Sequence, residues 1–548
     1  MAQKLFCNAT HTADDSIKKE DHQIELKLKE LIINIPPEPK EPPRWPDCCI
    51  YRVPKRLREL REEAYTPRLV SIGPFHCKKK DQFKDMEQQK VRYFWSFCKR
   101  TGKSSKDLAC IIERDENKIR QRYSENFDGI LREDFVTMIL LDAIFILELF
   151  LRKSDSKNHE EDYILSQPCM ERGIQHDLLL LENQLPFFVL EQLYQNGEPN
   201  TEKPTVLDLS YRFFGDLYTR NWQPNQPKKC ENHVKQCFTD LVGCGCPRQE
   251  HQKATSPVHP KPQHFTDLVR LFFFPPEPEH GILCTDGFRP NQEQEDENKK
   301  PEPKLSMCSD CFRPDQEQED ENKRQGTVQR NKHLLGTATK LDEAGLKFTR
   351  PDSKRHLLEI QFRENICLEM FPCFNLSWLL SCLPCLKSTC LVDMQRFLEV
   401  PPLLLDDKTE GLFRNLMALE QCHYPNETYV CDYFVLLDDL ITTKEDVRLL
   451  VEKKIIVNEL GSSTAVTNLV NNLALEIEEN GSHYTELCGK LNKYYESNWN
   501  RLVGTLTRVY FSDIFKGTAT IVGIIVLLLT LWNFHRLLRL SAANIGKF

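Results

Sequence analysis

The sequence EDFVTMILLDAIFILELFLR, from Glu133 to Arg152, decides the fold. Its apolar residues cover nearly every face of a helix, a pattern typical of a helix buried in a protein core. Asp142 and Glu148 interrupt the apolar run, and carboxylates inside a membrane span are rare and costly. The stretch therefore predicts the central core helix of a water-soluble domain and not a membrane span.

Two neighbouring stretches predict further helices. In KDMEQQKVRYFWSFCKR, residues 84–100, apolar side chains recur at helical spacing with charges opposite, which indicates an amphipathic helix. DLLLLENQLPFFVLEQLY, residues 177–194, indicates a second buried helix that Pro186 stops or kinks, because proline cannot continue the hydrogen-bonding pattern. The predicted apolar stripe of the first of these helices consists of Met86, Val91, Phe94, Trp95 and Cys98.

The second half of the chain predicts more helices, separated by short extended segments. ATKLDEAGLKF, residues 338–348, indicates a helix that ends at Gly345. RHLLEIQF, residues 355–362, indicates a strand, and residues 397–451 have the apolar spacing of additional helices. These patterns predict a mainly α domain with a few short strands.

The composition describes a body that is mostly in contact with water. Charged residues make up 28% of the chain and the mean hydropathy is -0.50, which excludes a protein with many membrane spans. Lys and Arg number 73 against 81 Asp and Glu, so the net charge is -8. Because nucleic acids are polyanions, we expect no nucleic-acid partner.

The stretch GTATIVGIIVLLLTLWNF, Gly517–Phe534, carries no charge. Its eighteen residues would form a helix of roughly 27 Å, close to the thickness of the hydrocarbon layer. Trp532 near one end, with Lys516 and Arg536 flanking the stretch, matches the side chains found at lipid headgroups. We therefore predict one transmembrane helix that contacts membrane lipid. The predicted anchor residues are Gly517, Ile521, Ile525, Leu528, Leu531, Trp532 and Phe534.

The orientation of the chain in the membrane rests on its N-terminus. MAQKLFCNATHTADDSIKKEDHQ contains no apolar run of signal-peptide length. We therefore expect a single-pass protein of the plasma membrane that is anchored by its C-terminal tail and has its bulk in the cytosol. A glycan on any N-x-S/T sequon would contradict this expectation. The sequons begin at Asn8, Asn375, Asn426 and Asn480.

Composition divides the chain into four predicted parts. Residues 1–46 form a polar extension that ends in the proline-rich linker IPPEPKEPPRWP. Residues 47–510 form the helical domain, with an acidic low-complexity insertion at about 225–330. The insertion contains CTDGFRPNQEQEDENKK and its near copy CSDCFRPDQEQEDENKR, which indicates a duplicated surface loop. Residues 514–535 are the transmembrane anchor and 536–548 a short basic tail.

Four carboxylates in the apolar helices are the candidate catalytic residues. They are Asp142, Glu148, Asp177 and Glu182. Carboxylates in apolar surroundings can have the raised pKa values that acid–base catalysis uses. Alternatively, Glu182, with Asn183 and Gln184, satisfies backbone groups that the helix break at Pro186 leaves open, and buried polar groups need such partners in any case. Convergence on an open pocket would favour catalysis, and dispersed, hydrogen-bonded side chains would favour structure.

Cys382 and Cys385 form a C-x-x-C pair, the spacing of a zinc site. The pair has no well-spaced second pair and its surroundings are apolar, so free or structural thiols are the preferred interpretation and we expect no bound metal. The sequence also lacks G-x-x-x-x-G-K-[ST], G-x-G-x-x-G, H-E-x-x-H and G-x-S-x-G. We therefore expect neither a cofactor nor one of the enzymatic reactions that depend on these motifs.

Several blocks of the sequence resemble the plant family called domain of unknown function 247. The blocks run in order from residue 48 to about 540 and include CCIYRVP, YTPRLVSIGPFH, DFVTMILLDAIFILELF, HDLLLLENQLPFFVLEQLY, HFTDLVRLFFFP and ATKLDEAGLKF. The chain departs from the family pattern in the acidic insertion and in LTRVYFSDIFKG, where the family more often has a YF-x-N-P-W segment. The resemblance implies a plant membrane-associated protein. Some grass members of the family are linked to pollen self-incompatibility, and others are associated with reproduction or defence.

Together these features predict a non-enzymatic, membrane-tethered recognition or signalling protein that acts by binding a protein partner not identified by the sequence. Pollen self-incompatibility is among the roles that the resemblance implies. The alternative is an unrecognised hydrolase or transferase that uses the buried carboxylates, and a third hypothesis is a purely structural membrane scaffold. The arrangement of the four carboxylates separates the first two hypotheses.

Overall fold

A computed structural model of the chain describes residues 46–155, 161–197, 204–222, 261–274, 333–351, 355–363, 396–510 and 514–545. These residues are mostly α-helical, with a few strands of three residues each, so the predicted fold class is confirmed. Residues 1–45 and most of the predicted acidic insertion lie outside the described residues.

The helices that the structure describes are α1 (Lys55–Leu60), α2 (Lys84–Thr101), α3 (Ser105–Arg114), α4 (Glu116–Arg120), α5 (Arg132–Ser154), α6 (Pro168–Asp177), α7 (Phe187–Gly197), α8 (Val206–Trp222), α9 (Phe265–Leu271), α10 (Ala338–Glu343), α11 (Thr409–His423), α12 (Tyr429–Leu440), α13 (Lys444–Glu452), α14 (Ser463–Ala474), α15 (Thr485–Glu496), α16 (Asn498–Tyr510) and α17 (Ile514–Ile545). The strands are β1 (Lys347–Thr349), β2 (Gln361–Arg363), β3 (Phe397–Glu399), β4 (Leu403–Leu405) and β5 (Ile456–Asn458).

Helix α5 is the central core helix that the sequence predicts. Phe135, Ile139 and Phe145 are fully buried in it, and α2, α3, α7 and α8 all pack against it. Burying each such side chain stabilises the fold by roughly 1.5–3 kcal/mol. Glu133 lies in its first turn and Arg152 in its last, where each charge complements the helix dipole. The prediction of a buried helix is therefore confirmed.

The amphipathic helix predicted at 84–100 is α2, but its buried stripe differs from the predicted one. Met86, Phe94 and Cys98 are buried, as predicted, whereas Val91 is 42% and Trp95 56% exposed, so these two assignments are wrong. Val91 and Trp95 lie four residues apart on the outward side of the helix. The remaining residues of the buried stripe are Gln89, Lys90, Tyr93 and Phe97.

The prediction of one buried helix over Asp177–Tyr194 is wrong. Helix α6 ends at Asp177, residues 178–186 form turns, and α7 begins at Phe187 directly after Pro186. Side-chain amides replace the missing helical hydrogen bonds in the turns, because Gln184 Nε2 donates to the carbonyls of Leu178 and Leu180. Pro186 does mark a helix boundary, as predicted.

The strands form two small sheets. β1 pairs in parallel with β3, and β2 pairs antiparallel with the other edge of β3, while β4 and β5 form a parallel pair. The strand predicted at 355–362 is confirmed only as β2, and residues 397–451 begin with β3 and β4 before the helices α11 to α13. Helix α10 is followed by Gly345 at a φ of 96°, which confirms the predicted helix end.

Most of the helices before α17 share a hydrophobic core. One cluster of buried side chains extends from Cys49 to Tyr494 and includes residues of both the α5 region and the α12–α14 region. Burial in a shared core couples the stability of these regions. Helix α17 differs, since most of its described apolar side chains are exposed.

Candidate functional site

The first candidate carboxylate, Asp142, is held by an ion pair in the centre of α5. Its Oδ1 lies 2.6 Å from Lys90 Nζ, and its Oδ2 accepts a hydrogen bond of 2.8 Å from the backbone N–H of Gly73. Burial raises the pKa of Asp142, and the Lys90 ammonium opposes that shift. Lys90 in turn donates to the Ser71 carbonyl and to Glu87. Asp142 therefore joins α2, α5 and the segment around Gly73.

The second candidate, Glu148, is shared by two arginines. Arg100 Nε and Nη2 donate to its two oxygens at 3.0 and 2.9 Å, in the bidentate geometry that arginine favours. Arg152 Nε donates to Glu148 Oε1 at 2.8 Å from one turn further along α5. The carboxylate is fully buried, so these bonds balance a charge that would otherwise be costly. Its contacts join α2 to α5.

The third candidate, Asp177, accepts hydrogen bonds from three consecutive backbone amides. The N–H groups of Arg68, Leu69 and Val70 donate to its carboxylate, at 2.6 Å for Leu69. Burial raises the pKa of Asp177 to about 6, although these amides favour the ionised form. Since residues 68–70 have no regular secondary structure, Asp177 supplies the partners that a strand or helix would have given them.

The fourth candidate, Glu182, accepts a hydrogen bond of 2.8 Å from the backbone N–H of Val53 and forms ion pairs with Arg52 and Arg58. His76 Nε2 lies 3.3 Å from its Oε2. Burial would raise the pKa of Glu182, but His76 and the two guanidinium groups outweigh it and hold the pKa at about 2. The carboxylate is therefore ionised at neutral pH.

Three of the four carboxylates hold the same segment, residues 52–73, which includes the short helix α1, against the core. Glu182 binds the amide of Val53, Asp177 the amides of residues 68–70, and Asp142 the amide of Gly73. Asn183 continues the pattern, because its Oδ1 accepts from Ile72 N–H at 2.6 Å. The carboxylates are dispersed and hydrogen-bonded, an arrangement that favours a structural role. Catalysis by them stays a hypothesis.

Asp177 also lines a cleft between α6 and the start of α11. The cleft continues into a second one, and both include Arg172, His176, Lys408 and Gly411. A side chain at position 411 would collide with the His176 ring, so the observed position of this ring requires a glycine at 411. Burial lowers the pKa of His176 to about 4, with help from nearby cations, so its imidazole is neutral at pH 7.

The cleft was not predicted from the sequence, since its two sides are more than two hundred residues apart in the chain. It places a neutral imidazole beside a carboxylate at consecutive positions, His176 and Asp177. Of the four candidate carboxylates, Asp177 alone reaches these clefts, and it lines one of the two. The acid–base hypothesis therefore has its best location here. Lys153 lines the neighbouring cleft, where its Nζ lies 2.6 Å from Glu171 Oε1, which neutralises its charge.

The predicted cysteine pair cannot be placed. Cys382 and Cys385 lie outside the described residues. Within the described ranges, no group of three or more His, Cys, Asp or Glu side chains is arranged to hold a metal ion.

His264 caps α9 from a buried position. Its Nδ1 accepts from the backbone N–H of Asp267 at 3.3 Å, so the ring proton must be on Nε2, which lies 3.0 Å from the Cys49 carbonyl. Burial lowers the pKa of His264 to about 4, which means that the folded chain holds the neutral ring. Protonation would remove the acceptor that caps the helix.

We expect the stability of the protein to fall as the pH drops from about 6.5 to about 4, with His264 contributing up to about 3 kcal/mol. The unfolded chain takes up a proton on this histidine near pH 6.5, whereas the folded chain resists it until about pH 4. His264→Asn keeps a capping acceptor but does not titrate. Melting temperatures measured between pH 7 and pH 4.5 should therefore fall less steeply for the variant. Parallel pH curves would contradict the assignment.

The predicted anchor lies in α17. Among the described residues, Phe515–Arg539 is the one helical stretch long and apolar enough to cross a membrane, and only 6% of its apolar window is buried. Gly517 is buried and Ile521 half-buried, whereas the other predicted anchor residues are exposed, up to 69% for Trp532. An exposed apolar surface of this size is typical of contact with a membrane or another protein.

Comparisons with known proteins place the chain in a plant family. The family model of domain of unknown function 247, described as a plant protein of unknown function, matches residues 50–529. The chain is similar to UPF0481 protein At3g47200 of Arabidopsis thaliana, with 25% identity over 88% of this chain and 85% of the relative. It is also similar to a second UPF0481 protein of Arabidopsis thaliana, At3g02645, with 23% identity over 88% of each chain. No solved structure matches this chain.

Proposed function

Since this chain belongs to the plant family domain of unknown function 247, as its sequence blocks predicted, and the family description assigns no reaction, we propose from the structure that it is a membrane-tethered protein that acts by binding another protein. The observation that carries the proposal is the contrast between α5 and α17. Both helices are long and apolar, but α5 is buried in the core whereas α17 presents its apolar side chains outward. A bilayer is the environment that matches such a helix.

The tether gives the helical body a definite physical role. Two proteins held at one membrane meet at a raised effective concentration, so even a weak contact between them becomes populated. We propose that the body is the binding module and that it carries out no reaction. In support, three of the four candidate carboxylates accept hydrogen bonds from backbone amides of residues 52–73, which is a structural use of these groups. The proposed partners are membrane lipid at α17 and a protein that remains to be identified, with no nucleic acid.

The proposal includes a location and a biological role. The membrane is the plasma membrane, the chain crosses it once, and the body lies in the cytosol. The role is recognition or signalling in plant reproduction or defence, with pollen self-incompatibility as one such process. Tags at both ends, tested for protease access in intact and then permeabilised plant cells, measure the orientation. A knockout that leaves incompatibility, fertility and defence unchanged would contradict the role.

A second candidate function is hydrolase or transferase chemistry in the α6–α11 cleft. The observation that favours it is the raised pKa of Asp177, about 6, beside the neutral His176. The tethering proposal has the wider support, because Asp177 already accepts from three backbone amides. An Asp177→Asn variant that folds and complements a knockout would contradict the catalytic role.

Two arginines in the middle of α17 should release the protein from membranes. Each charge at the centre of a membrane span costs about 2.5–3.5 kcal/mol on insertion scales, so the double variant Ile525→Arg and Leu528→Arg should lose most of its anchoring free energy. The measurement is the fraction of full-length protein that stays with plant membranes after extraction at alkaline pH. Both positions are at least 50% exposed, so the body should keep its fold.

Leu537→Arg together with Leu538→Arg is the matched control. It adds the same two positive charges beside Arg536 and Arg539, where long basic side chains can reach the headgroups, so the protein should stay in the membrane fraction. A wild-type chain that alkaline extraction removes, or an Ile525→Arg and Leu528→Arg variant that stays bound, would contradict the anchor.

A further inference from the structure

Helix α16, directly before the proposed anchor, has an apolar face that points outward. Five large side chains on it are between 39% and 52% exposed. Their spacing places them on one face of the helix, about 100° wide. Exposed apolar residues scattered singly need no explanation, but a continuous face of them does. The residues of this face are Trp499, Leu502, Leu506, Val509 and Tyr510.

The opposite side of α16 is fixed to the body, so the apolar face cannot turn inward. Gly504 lies against the end of α10, where any side chain at this position would collide with the backbone of residues 343–345. Asn500 Nδ2 donates to the Tyr494 carbonyl at 3.1 Å, and Arg508 pairs with Glu343. These contacts set the rotation of the helix about its axis and keep the apolar face outward.

The apolar face leads directly to the anchor. Helix α16 ends at Tyr510 and α17 begins at Ile514. The Thr520 hydroxyl in the first turns of α17 donates to the Tyr510 carbonyl at 3.2 Å, so the two helices touch where they meet. When α17 spans a bilayer, the end of α16 is therefore at the level of the membrane surface.

We infer that α16 lies in the interfacial layer of the same bilayer, with its apolar face inserted between phospholipid headgroups. The inference rests on the proposed anchoring by α17. A helix with one apolar and one polar side is suited to this position, and Trp499 and Tyr510 supply the amphipathic rings that favour the headgroup region. Because Gly504 fixes α16 to the body, the body is held against the membrane surface at a set orientation.

The bilayer explains the face better than a second protein does. Five half-exposed side chains offer much less area than the roughly 800 Å² per partner that a stable protein interface buries. The neighbouring α17 begins four residues after α16 ends and carries the exposed apolar stretch Phe515–Arg539, which has the length of a membrane span. A single lipid phase covers both helices.

Photocrosslinking to lipid tests the inference in the full-length chain. A benzophenone amino acid replaces Leu506 on the apolar face, Arg501 on the other side, or Ile525 in α17, and each protein is reconstituted into phosphatidylcholine and phosphatidylserine vesicles. Leu506 and Arg501 are about 140° apart around the helix axis, which makes them a matched pair. All three positions are exposed, so the fold should tolerate the probe, and circular dichroism checks it.

We expect lipid adducts from the probes at Leu506 and Ile525 and no lipid adduct from the probe at Arg501. An adduct at Ile525 with none at Leu506 would overturn the inference and leave the anchor intact. An adduct at Leu506 that joins two copies of the chain would also overturn it, in favour of a dimer. If the Ile525 probe gives no lipid adduct, the proposed anchor itself fails, and the inference fails with it. Equal adducts at Arg501 and Leu506 would refute an oriented face.

Discussion

Replacing Glu420 with alanine is expected to lower the free energy of unfolding by about 3–5 kcal/mol, because it leaves the Arg270 guanidinium buried without its carboxylate. Arg270 Nε lies 2.9 Å from Glu420 Oε1, and the two side chains are 2% and 0% exposed. The same carboxylate accepts the backbone N–H groups of Val430 and Cys431 at the start of α12. The substitution therefore removes three partners at once, and urea denaturation of the full chain in detergent measures the loss.

The position of this pair explains the size of the effect. Arg270 lies on α9 and Glu420 on α11, so the pair connects two elements that are far apart in the chain. The guanidinium also lies 4.0 Å from the ring centre of Tyr424 and donates to the Glu427 carbonyl. Tyr424 and the Glu427 carbonyl thus hold the Arg270 guanidinium beside Glu420. Because the Arg270 side chain is only 2% exposed, water cannot take the place of the Glu420 carboxylate.

A matched surface pair provides the control. Lys490 Nζ lies 2.9 Å from Glu486 Oε1, nearly the same distance, but the two side chains are 46% and 83% exposed. Glu486→Ala should cost less than about 1 kcal/mol, because water and salt screen the pair. If Glu420→Ala and Glu486→Ala lower stability equally, burial does not give the Arg270 pair its expected importance.

The sequence predicted the long helices because their signal is local. Helix α5 and helix α17 each have an apolar run that needs no information from elsewhere in the chain, and both lie where they were predicted. The local pattern of α2 fits two overlapping apolar stripes, since Val91 and Trp95 match helical spacing nearly as well as Tyr93 and Phe97 do. Which of two overlapping stripes faces the core depends on the neighbours, and local spacing does not contain that information.

The turns at 178–186 could not be predicted in the same way. The stretch is apolar enough for a helix, but Asn183 binds Ile72 and Val70, more than one hundred residues earlier in the chain. Such long-range side-chain bonds compete with helical bonds and favour the turns. From the sequence alone, Pro186 indicates a helix boundary but not the turns that precede it.

The partners of the candidate carboxylates were partly visible in the sequence. Lys90 lies four residues after Met86 and four before Phe94, on the apolar stripe of α2. A lysine at such a position indicates either a buried ion pair or a lysine that reaches the surface. Asp142 on the apolar helix α5 required a counter-charge of this kind. The pairing of the two follows only from the packing of α2 on α5.

Asp142 and Glu148, which are candidate catalytic residues, also bear on the membrane-tethering hypothesis, because they distinguish α5 from α17. In the sequence, these residues distinguish α5 from a membrane helix, and α17 has no equivalent of them. In the structure, each has a cationic partner, which allows a charged residue in a buried helix. A bilayer would give α17 no such partners, so tethering requires an uncharged stretch such as Gly517–Phe534 in α17 and allows the paired charges of the buried α5.

Replacing Lys90 with methionine should lower the free energy of unfolding by about 3–5 kcal/mol, because the Asp142 charge is then buried without a counter-charge. Lys90 and Asp142 side chains are 1% and 3% exposed, so water cannot take the place of the ammonium. Adding Asp142→Asn removes the stranded charge and leaves an oxygen that can accept from Gly73 N–H. The double variant should therefore recover a large part of the loss, as measured by urea denaturation.

For Asp142, the same double variant separates the structural hypothesis from the catalytic one. If Asp142 serves only to hold α2, α5 and Gly73 together, the stabilised double variant should complement a knockout plant and stay in the membrane fraction. If Asp142 is a catalytic acid or base, complementation should fail even though stability has returned, because an amide cannot transfer the proton. Recovery of stability without recovery of function would thus favour a catalytic Asp142, and recovery of both would favour an Asp142 whose buried charge only maintains the fold.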